Sequence, residues 1–276
     1  MSTFPDLAIY APMRDAEDYA EVFLRSAAVH GGSNRYRVTM SILVGDSTDN
    51  TLDVCRAFAS ELPFECRVRS LNDLPDGVRS EIKAIVESND GFFNECIVDW
   101  LVSENLEQST YYSGIHVDIA FRRSGLWDDL LGKMIATGAD VAGIFAPGEL
   151  LTRPDAIFMT PPRLFPFVTL CHRERAHALG VRWSRPCPTS SRRDRLIVDN
   201  GTLALDALMG NRAAELGATF LPITADYLDQ FIEHFGFLWT QNVTSPEHEH
   251  DGERSRKRLR AELERYRDPT AGARKR

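Results

Sequence analysis

Residues 107–147 read EQSTYYSGIHVDIAFRRSGLWDDLLGKMIATGADVAGIFAP, and their pattern decides the fold class. Residues 111–117 have the aromatic and β-branched content of a strand, which stops on the carboxylate of Asp118. A helix follows, with Leu126, Leu130, Leu131, Met134 and Ile135 at helical spacing, and then a second strand over residues 140–145. Alternating strand and helix is the unit of an α/β fold. A carboxylate at the C-terminal end of a buried strand lies where an open α/β sheet leaves its ligand crevice. Asp118 is therefore a candidate for ligand contact, and the same position equally suits a cap on the helix that follows.

Upstream, residues 7–11 (LAIYA) form a short apolar run suited to a buried strand, ended by Pro12. Over residues 15–30, Tyr19, Val22, Phe23, Leu24 and Ala27 fall at helical spacing, and Gly31-Gly32 closes the helix. Residues 38–44 read as a second strand, Gly45-Asp46-Ser47 as a turn, and Asp49 or Ser47 as the N-cap of a helix running to about Leu62. This order requires parallel strands joined by right-handed crossovers. A third strand is predicted over residues 64–68, and then a helix over 78–87 with Arg79 and Lys83 on one face. A further helix over 92–103 carries an apolar stripe that places Trp100 in the core.

Two of these segments carry a family resemblance. ILVGDSTDNTLDVCRAFASE, residues 42–61, resembles, one residue shorter, the "valine, acidic pair, glycine, Ser-Thr-Asp-Asn-Thr" segment of family-2-like glycosyltransferases. His116-Val117-Asp118 resembles the Asp-x-Asp signature of nucleotide-sugar glycosyltransferases of the GT-A fold, with histidine in the first acidic place. The resemblance implies a GT-A-like (Rossmann-like) α/β domain with a mixed, mostly parallel sheet flanked by helices. It would span residues 1–250, with a nucleotide-binding half (1–118), an acceptor-binding half (119–250) and a charged C-terminal tail (251–276).

What the resemblance implies for chemistry falls on particular residues. The donor would be a nucleoside-diphosphate sugar and the acceptor a hydroxyl that the sequence does not name. A divalent cation, manganese or magnesium, would be held by Asp118, with His248 at the matching distance for a further ligand. His116 departs from the pattern, because imidazole suits softer metals than carboxylate does. Asp46 falls on the acid that contacts the nucleobase or ribose, with Ala11 and Pro12 bordering the nucleotide. Arg79 and Lys83 are placed to meet the diphosphate, while Ser47, Asp49 and Asn50 read as a polar turn and cap. Asp46 and Asp118 are expected to end neighbouring strands and meet at a shared rim.

DYLDQFIEHFG, residues 226–236, resembles in shortened form the acid-led helix that carries the catalytic base of inverting members. The base then lands on Asp226, with Asp229 and Asp199 as alternatives because Ala225 stands in the first acidic place. A carboxylate at a helix N-terminus is kept ionised by the helix dipole and suits proton abstraction from a hydroxyl. It is equally the look of a structural cap.

Composition bounds the remainder. With 43% hydrophobic residues the chain can bury a sizeable core, and no apolar run reaches membrane-spanning length, so the expected location is cytoplasmic. Five scattered cysteines without a Cys-x-x-Cys pair argue against a disulfide framework or a zinc site. The net charge of −8 is that of a poor nucleic-acid binder, although residues 251–276 are locally basic. That basic segment reads as a charged helix over 254–266, either solvated or touching a partner. The text is compatible with a homo-oligomer. Residues 146–170 hold five prolines and read as loop with short extended pieces, and 171–196 as a basic, solvated stretch. A nucleotidyltransferase is disfavoured, because YAPMRD supplies Arg14 but no glycine-rich phosphate loop. A non-catalytic glycosyltransferase-like module stays open.

Overall fold

The computed structural model describes residues 6–88, 93–103, 109–146, 149–153, 156–160, 163–183, 207–235 and 246–267. Strand β1 (Leu7–Met13) leads into helix α1 (Glu17–His30), β2 (Val38–Val44), α2 (Thr51–Ala59), β3 (Glu65–Ser70), α3 (Asp76–Ser88) and α4 (Phe93–Ser103). Next come β4 (Tyr111–Gly114), β5 (Ile119–Phe121), α5 (Leu126–Thr137), β6 (Val141–Ala146), β7 (Glu149–Arg153), β8 (Ala156–Thr160), β9 (Arg163–His172) and α6 (Arg173–Leu179). The last described elements are α7 (Asn211–Glu215), β10 (Phe220–Ile223), α8 (Ala225–Leu228), β11 (Ile232–His234) and α9 (Pro246–Arg267).

Seven strands form the main sheet in the order β10-β6-β9-β4-β1-β2-β3. All of them run the same way except β9, which is antiparallel to both β4 and β6. This is the mixed, mostly parallel sheet that the glycosyltransferase resemblance implies. One face is covered by α1, α5 and α9, whose Phe23, Leu24, Trp127, Leu130 and Leu263 pack with Leu7, Ile9 and Ile42. The other is covered by α4, with Ile97, Trp100 and Leu101 against Tyr10, Leu43, Tyr112 and Val141. All the parallel strands point their C-terminal ends at one rim.

Strand β1 outruns its expected end. Pro12 lies inside it, paired with Leu43, and the ladder continues to Met13. The backbone of Leu7 and Met13 bonds toward β2, whereas the carbonyls of Asp6 and Tyr10 accept from the Tyr111 and Ile115 N–H groups on the β4 side. Position 12 therefore faces the β4 side just past the last β1–β4 pair, Tyr10 with Gly114, where no ladder donor is needed.

Ser47-Thr48-Asp49-Asn50-Thr51 also behaves differently from a simple cap. Asn50 holds the N-cap place of α2 without a side-chain cap bond, and Asp49 Oδ1 accepts there from the Thr51 N–H at 3.1 Å and the Thr51 hydroxyl at 2.5 Å. The segment instead closes over the start of α1, which lacks a cap of its own. Ser47 Oγ accepts from the Asp15 N–H (3.1 Å), Thr51 Oγ1 from Ala16 (2.8 Å) and Asp49 Oδ2 from Glu17 (3.0 Å). In return Asp15 Oδ1 accepts from the Thr48 N–H at 2.7 Å. Asp15 stands at φ 47°, left-handed backbone that aspartate tolerates better than most residues. Thr51 is fully buried (0% exposed), so Thr51→Val strands the Ala16 N–H. The expected cost is about 1–3 kcal/mol, read as a lower urea midpoint at unchanged slope.

The solvated-tail alternative fails for the described part of the basic C-terminal segment. Leu259 and Leu263 of α9 are 2% and 4% exposed and join the core beside α1. Buried Glu262 accepts from Arg122 Nη1 at 2.7 Å, Arg267 pairs with Glu21, and Ser255 Oγ donates to the Phe235 carbonyl at 2.5 Å. The i, i+4 spacing of Ser255, Leu259 and Leu263 makes a narrow stripe that the surrounding arginines hide in the composition.

At the end of the sheet opposite the rim, Asp140 accepts from Arg175 Nε (2.8 Å) and the Thr219 N–H (3.0 Å). Burial pushes this carboxyl up, but the bonds from Arg175 and Thr219 and the arginine charge outweigh it and hold it below the usual aspartate value. Its contribution is therefore complete above the unfolded value of about 3.9 and is lost as pH falls through the lower folded value. Asp140→Asn is expected to destabilise the protein at pH 7 by about 1–3 kcal/mol. The penalty should shrink below pH 3.5, as urea melts at both pH values would show.

Candidate functional site

Asp118 lies in the bend between β4 and β5 and is 5% exposed. The strand predicted for residues 111–117 stops at Gly114, apart from a single bridge between Ile115 and Val168, and β5 intervenes before the helix begins at Leu126. Asp118 is thus not a helix cap. Its carbonyl accepts from the Phe235 N–H at 2.8 Å, and the antiparallel β5–β11 ladder sets His234 opposite Ile119. That pairing delivers an imidazole to the carboxylate, with His234 Nε2 3.3 Å from Asp118 Oδ2.

Burial would raise the Asp118 carboxyl. The hydrogen bond and charge of His234, with the charge of His116, outweigh burial and hold it below the usual carboxylate range. Its second oxygen, Oδ1, is buried with no hydrogen-bond partner among the described residues. A buried, ionised oxygen left without a partner is costly and calls for a ligand, ion or water.

Among the described residues no three His, Cys, Asp or Glu side chains are grouped to hold a metal ion. Asp118 Oδ1 nonetheless fits a hard cation of the kind that takes one carboxylate and completes its shell with waters and phosphate oxygens. His116, half-buried, stands beside it. His248 falls in the first turn of α9, and its side chain lies outside the described residues.

Asp46 follows β2 at the same rim, but β1 lies between β2 and β4, so Asp46 and Asp118 do not end neighbouring strands. Two inter-strand steps separate their strands by about 10 Å. Lys83 Nζ is 2.7 Å from Asp46 Oδ2, with both side chains 45% exposed, whereas Arg79 turns to Asp76. An ion pair this open contributes at most about 1 kcal/mol and yields easily to a ligand. Ala11 and Pro12 are buried within β1, and the rim positions of that strand belong to the exposed Arg14 and Asp15.

Asp226 is exposed on the short helix α8, and Asp229 is exposed at its C-cap. Thr224 caps that helix by accepting from the Tyr227 N–H at 3.1 Å, so Asp226 is not the cap. Tyr227 OH donates to Asp129 at 2.7 Å, which ties α8 to α5, and the chain reaches Asp118 only afterwards, through β11. Asp199 lies outside the described residues. The residue that sequence reasoning missed is His234. It sits inside the segment read as one helix, of which only residues 225–228 are helical.

The sequence matches no protein-family model and no curated protein. Its architecture does have counterparts. The mannosyltransferase from Pyrobaculum calidifontis, solved with GDP-Man and Mn2+, aligns over 81% of this chain at a TM-score of 0.52 and 11% identity. The chain has the GT-A fold. Residues 1–349 of S. aureus TarS in complex with UDP-GlcNAc align at a TM-score of 0.49 (13% identity, 94% of this chain). Mouse xyloside xylosyltransferase 1 aligns at 0.45 (11% identity, 82% of this chain and 89% of its own). This GT-A chain spans 56% of the mannosyltransferase and 66% of the TarS structure, less than two thirds of either. No helix among its described residues is long and apolar enough to cross a membrane.

Proposed function

We propose that the chain transfers a sugar from a nucleoside-diphosphate donor to an acceptor hydroxyl at the rim where β1, β2 and β4 end. The observation that carries this is Asp118, a buried carboxylate with one oxygen beside His234 and the other without a partner among the described residues. The GT-A fold it shares with a mannosyltransferase solved with GDP-Man and Mn2+ supports the reading.

In this reading Asp118 holds a manganese or magnesium ion, with His116 beside it and His248 as a further ligand. When bound, such an ion offsets the negative charge that develops on the departing diphosphate. Asp46 accepts a hydrogen bond from the ribose or base, and Lys83, released from Asp46, meets the phosphates with Arg79 as a second cation. Asp226 takes the acceptor proton as the new C–O bond forms and the bond to the diphosphate breaks. With the base opposite the leaving group the reaction inverts the anomeric centre. Asp229 and Asp199 are the alternative bases. Residues 1–118 then serve the nucleotide and 119–250 the acceptor.

The test is donor hydrolysis. The chain is incubated with UDP-, GDP- and dTDP-sugars plus manganese, and released nucleoside diphosphate is followed. Release from at least one donor is expected. Silence across all of them, with no thermal shift, contradicts the reading and favours a non-catalytic binding module. Asp226→Asn is expected to lower kcat for transfer by about 100-fold at unchanged donor KM. An unaltered kcat would move the base to Asp229 or Asp199.

A further inference from the structure

Phosphates in α/β folds often rest on the N-terminus of the helix that follows the first strand. That place is closed here. The N–H groups of Ala16 and Glu17, at the start of α1, are taken by Thr51 Oγ1 (2.8 Å) and Asp49 Oδ2 (3.0 Å), and the first turn carries Glu17 and Asp18. Positive charge over the end of β1 comes instead from a side chain, Arg14, the first residue past the strand. Its place is fixed by two ladders without a register shift. β1 lies between β4 and β2, with Tyr10 paired to Gly114 on one side and Met13 to Val44 on the other. The Gly45 N–H donates to the Met13 carbonyl at 2.8 Å, which sets Arg14 beside Gly45-Asp46. On the other side β4, the strand that leads to Asp118, is one spacing of about 5 Å away. Arg14 thus lies between the place proposed for the nucleoside and the place proposed for the cation.

We propose that Arg14 binds the diphosphate of the donor where it crosses the end of β1. This rests on the transferase reading above and deepens it. The Arg14 side chain is 46% exposed, and its one ion pair among the described residues, Nε to the Asp15 carboxylate at 3.6 Å, is longer than a hydrogen bond. That carboxylate is itself held by the Thr48 N–H (2.7 Å) and hydroxyl (3.1 Å), and the Asp15 N–H by Ser47 Oγ (3.1 Å). The backbone is therefore braced on both sides of Arg14 while its guanidinium stays open to a ligand, which lowers the ordering cost of binding. A planar guanidinium gives two parallel N–H bonds to phosphate oxygens. Lys83 reaches Asp46 from α3, whereas Arg14 stands on the Asp118 side of it.

The experiment uses the full chain with manganese. Calorimetry gives its affinity for UDP, GDP and dTDP, and saturation-transfer NMR its affinity for the matching nucleosides. At least one diphosphate is expected to bind. Arg14→Ala should weaken that binding about tenfold, the scale of losing one charge-assisted hydrogen bond, and leave the nucleoside titration unchanged. Arg14→Lys should recover part of the loss. Both variants should keep the wild-type urea midpoint, as expected of an exposed side chain without a buried partner. Equal diphosphate affinity in Arg14→Ala overturns the inference, as does an equal fall for nucleoside and diphosphate. A wild-type chain that binds none of the three diphosphates overturns the transferase reading itself, and the role of Arg14 with it.

Discussion

Asp118→Asn is expected to lower nucleoside diphosphate release by about 1,000-fold, the scale of losing one preorganised electrostatic group, while the fold survives. The amide has the shape of the carboxylate and keeps an oxygen for His234, 3.3 Å away. It loses the negative charge that Oδ1 offers a cation, and that oxygen has no other partner among the described residues. Removing a charge from a site 5% exposed also relieves desolvation, so stability should stay within about 1–2 kcal/mol of wild type. Steady-state release and a urea melt on the same preparation separate the two effects. Activity near wild type would show that Asp118 is structural.

Arg122→Ala is expected to produce the largest loss of stability, about 3 kcal/mol. Its Nη1 lies 2.7 Å from Glu262 of α9, which is 5% exposed, and its Nη2 pairs with Glu233 of β11. The same residue's N–H donates to the Phe231 carbonyl at 2.6 Å. Among the described residues, truncation leaves Glu262 with Tyr266 and with Arg265, 3.5 Å away, and Glu233 with Arg258. Arg122→Lys should recover only part of the loss, because an ammonium lacks the planar fork that spans two carboxylates. The β5–β11 ladder that Arg122 braces also carries Asp118 and His234, so the donor KM should rise with the destabilisation. A change under about 0.5 kcal/mol, the range of ordinary surface substitutions, would mean that α9 is held by its leucines alone.

The elements whose periodicity is local were legible in the sequence. α1, β2, α2, α5 and β6 all lie where residue spacing puts them, because each buries one continuous face against the sheet. What spacing does not encode is pairing over distance. β9 enters between β4 and β6 from a proline-rich stretch that reads as loop, and its ladder with β6 shifts register between Ala142 and Ile144. Prolines that argue against a regular strand are tolerated where a ladder is irregular. β5 and β11 are too short, at three residues each, to show alternation, so the contact between Asp118 and His234 was invisible. Asp118 itself could be picked out, because a strand ending on an acid is a local signal. The Ser-Thr-Asp-Asn-Thr segment reads as a polar turn and cap, but its bonds go to α1 across the loop rather than to α2 alone.

On the proposed function, the Asp118 rim binds a sugar nucleotide together with a cation. Crystals grown with manganese and the hydrolysed donor's nucleoside diphosphate, measured at the manganese absorption edge, test it most directly. An anomalous peak is expected against Asp118 Oδ1, with the diphosphate beside it and the nucleoside toward Asp46. A peak away from Asp118, or a nucleotide bound elsewhere on the chain, would contradict it.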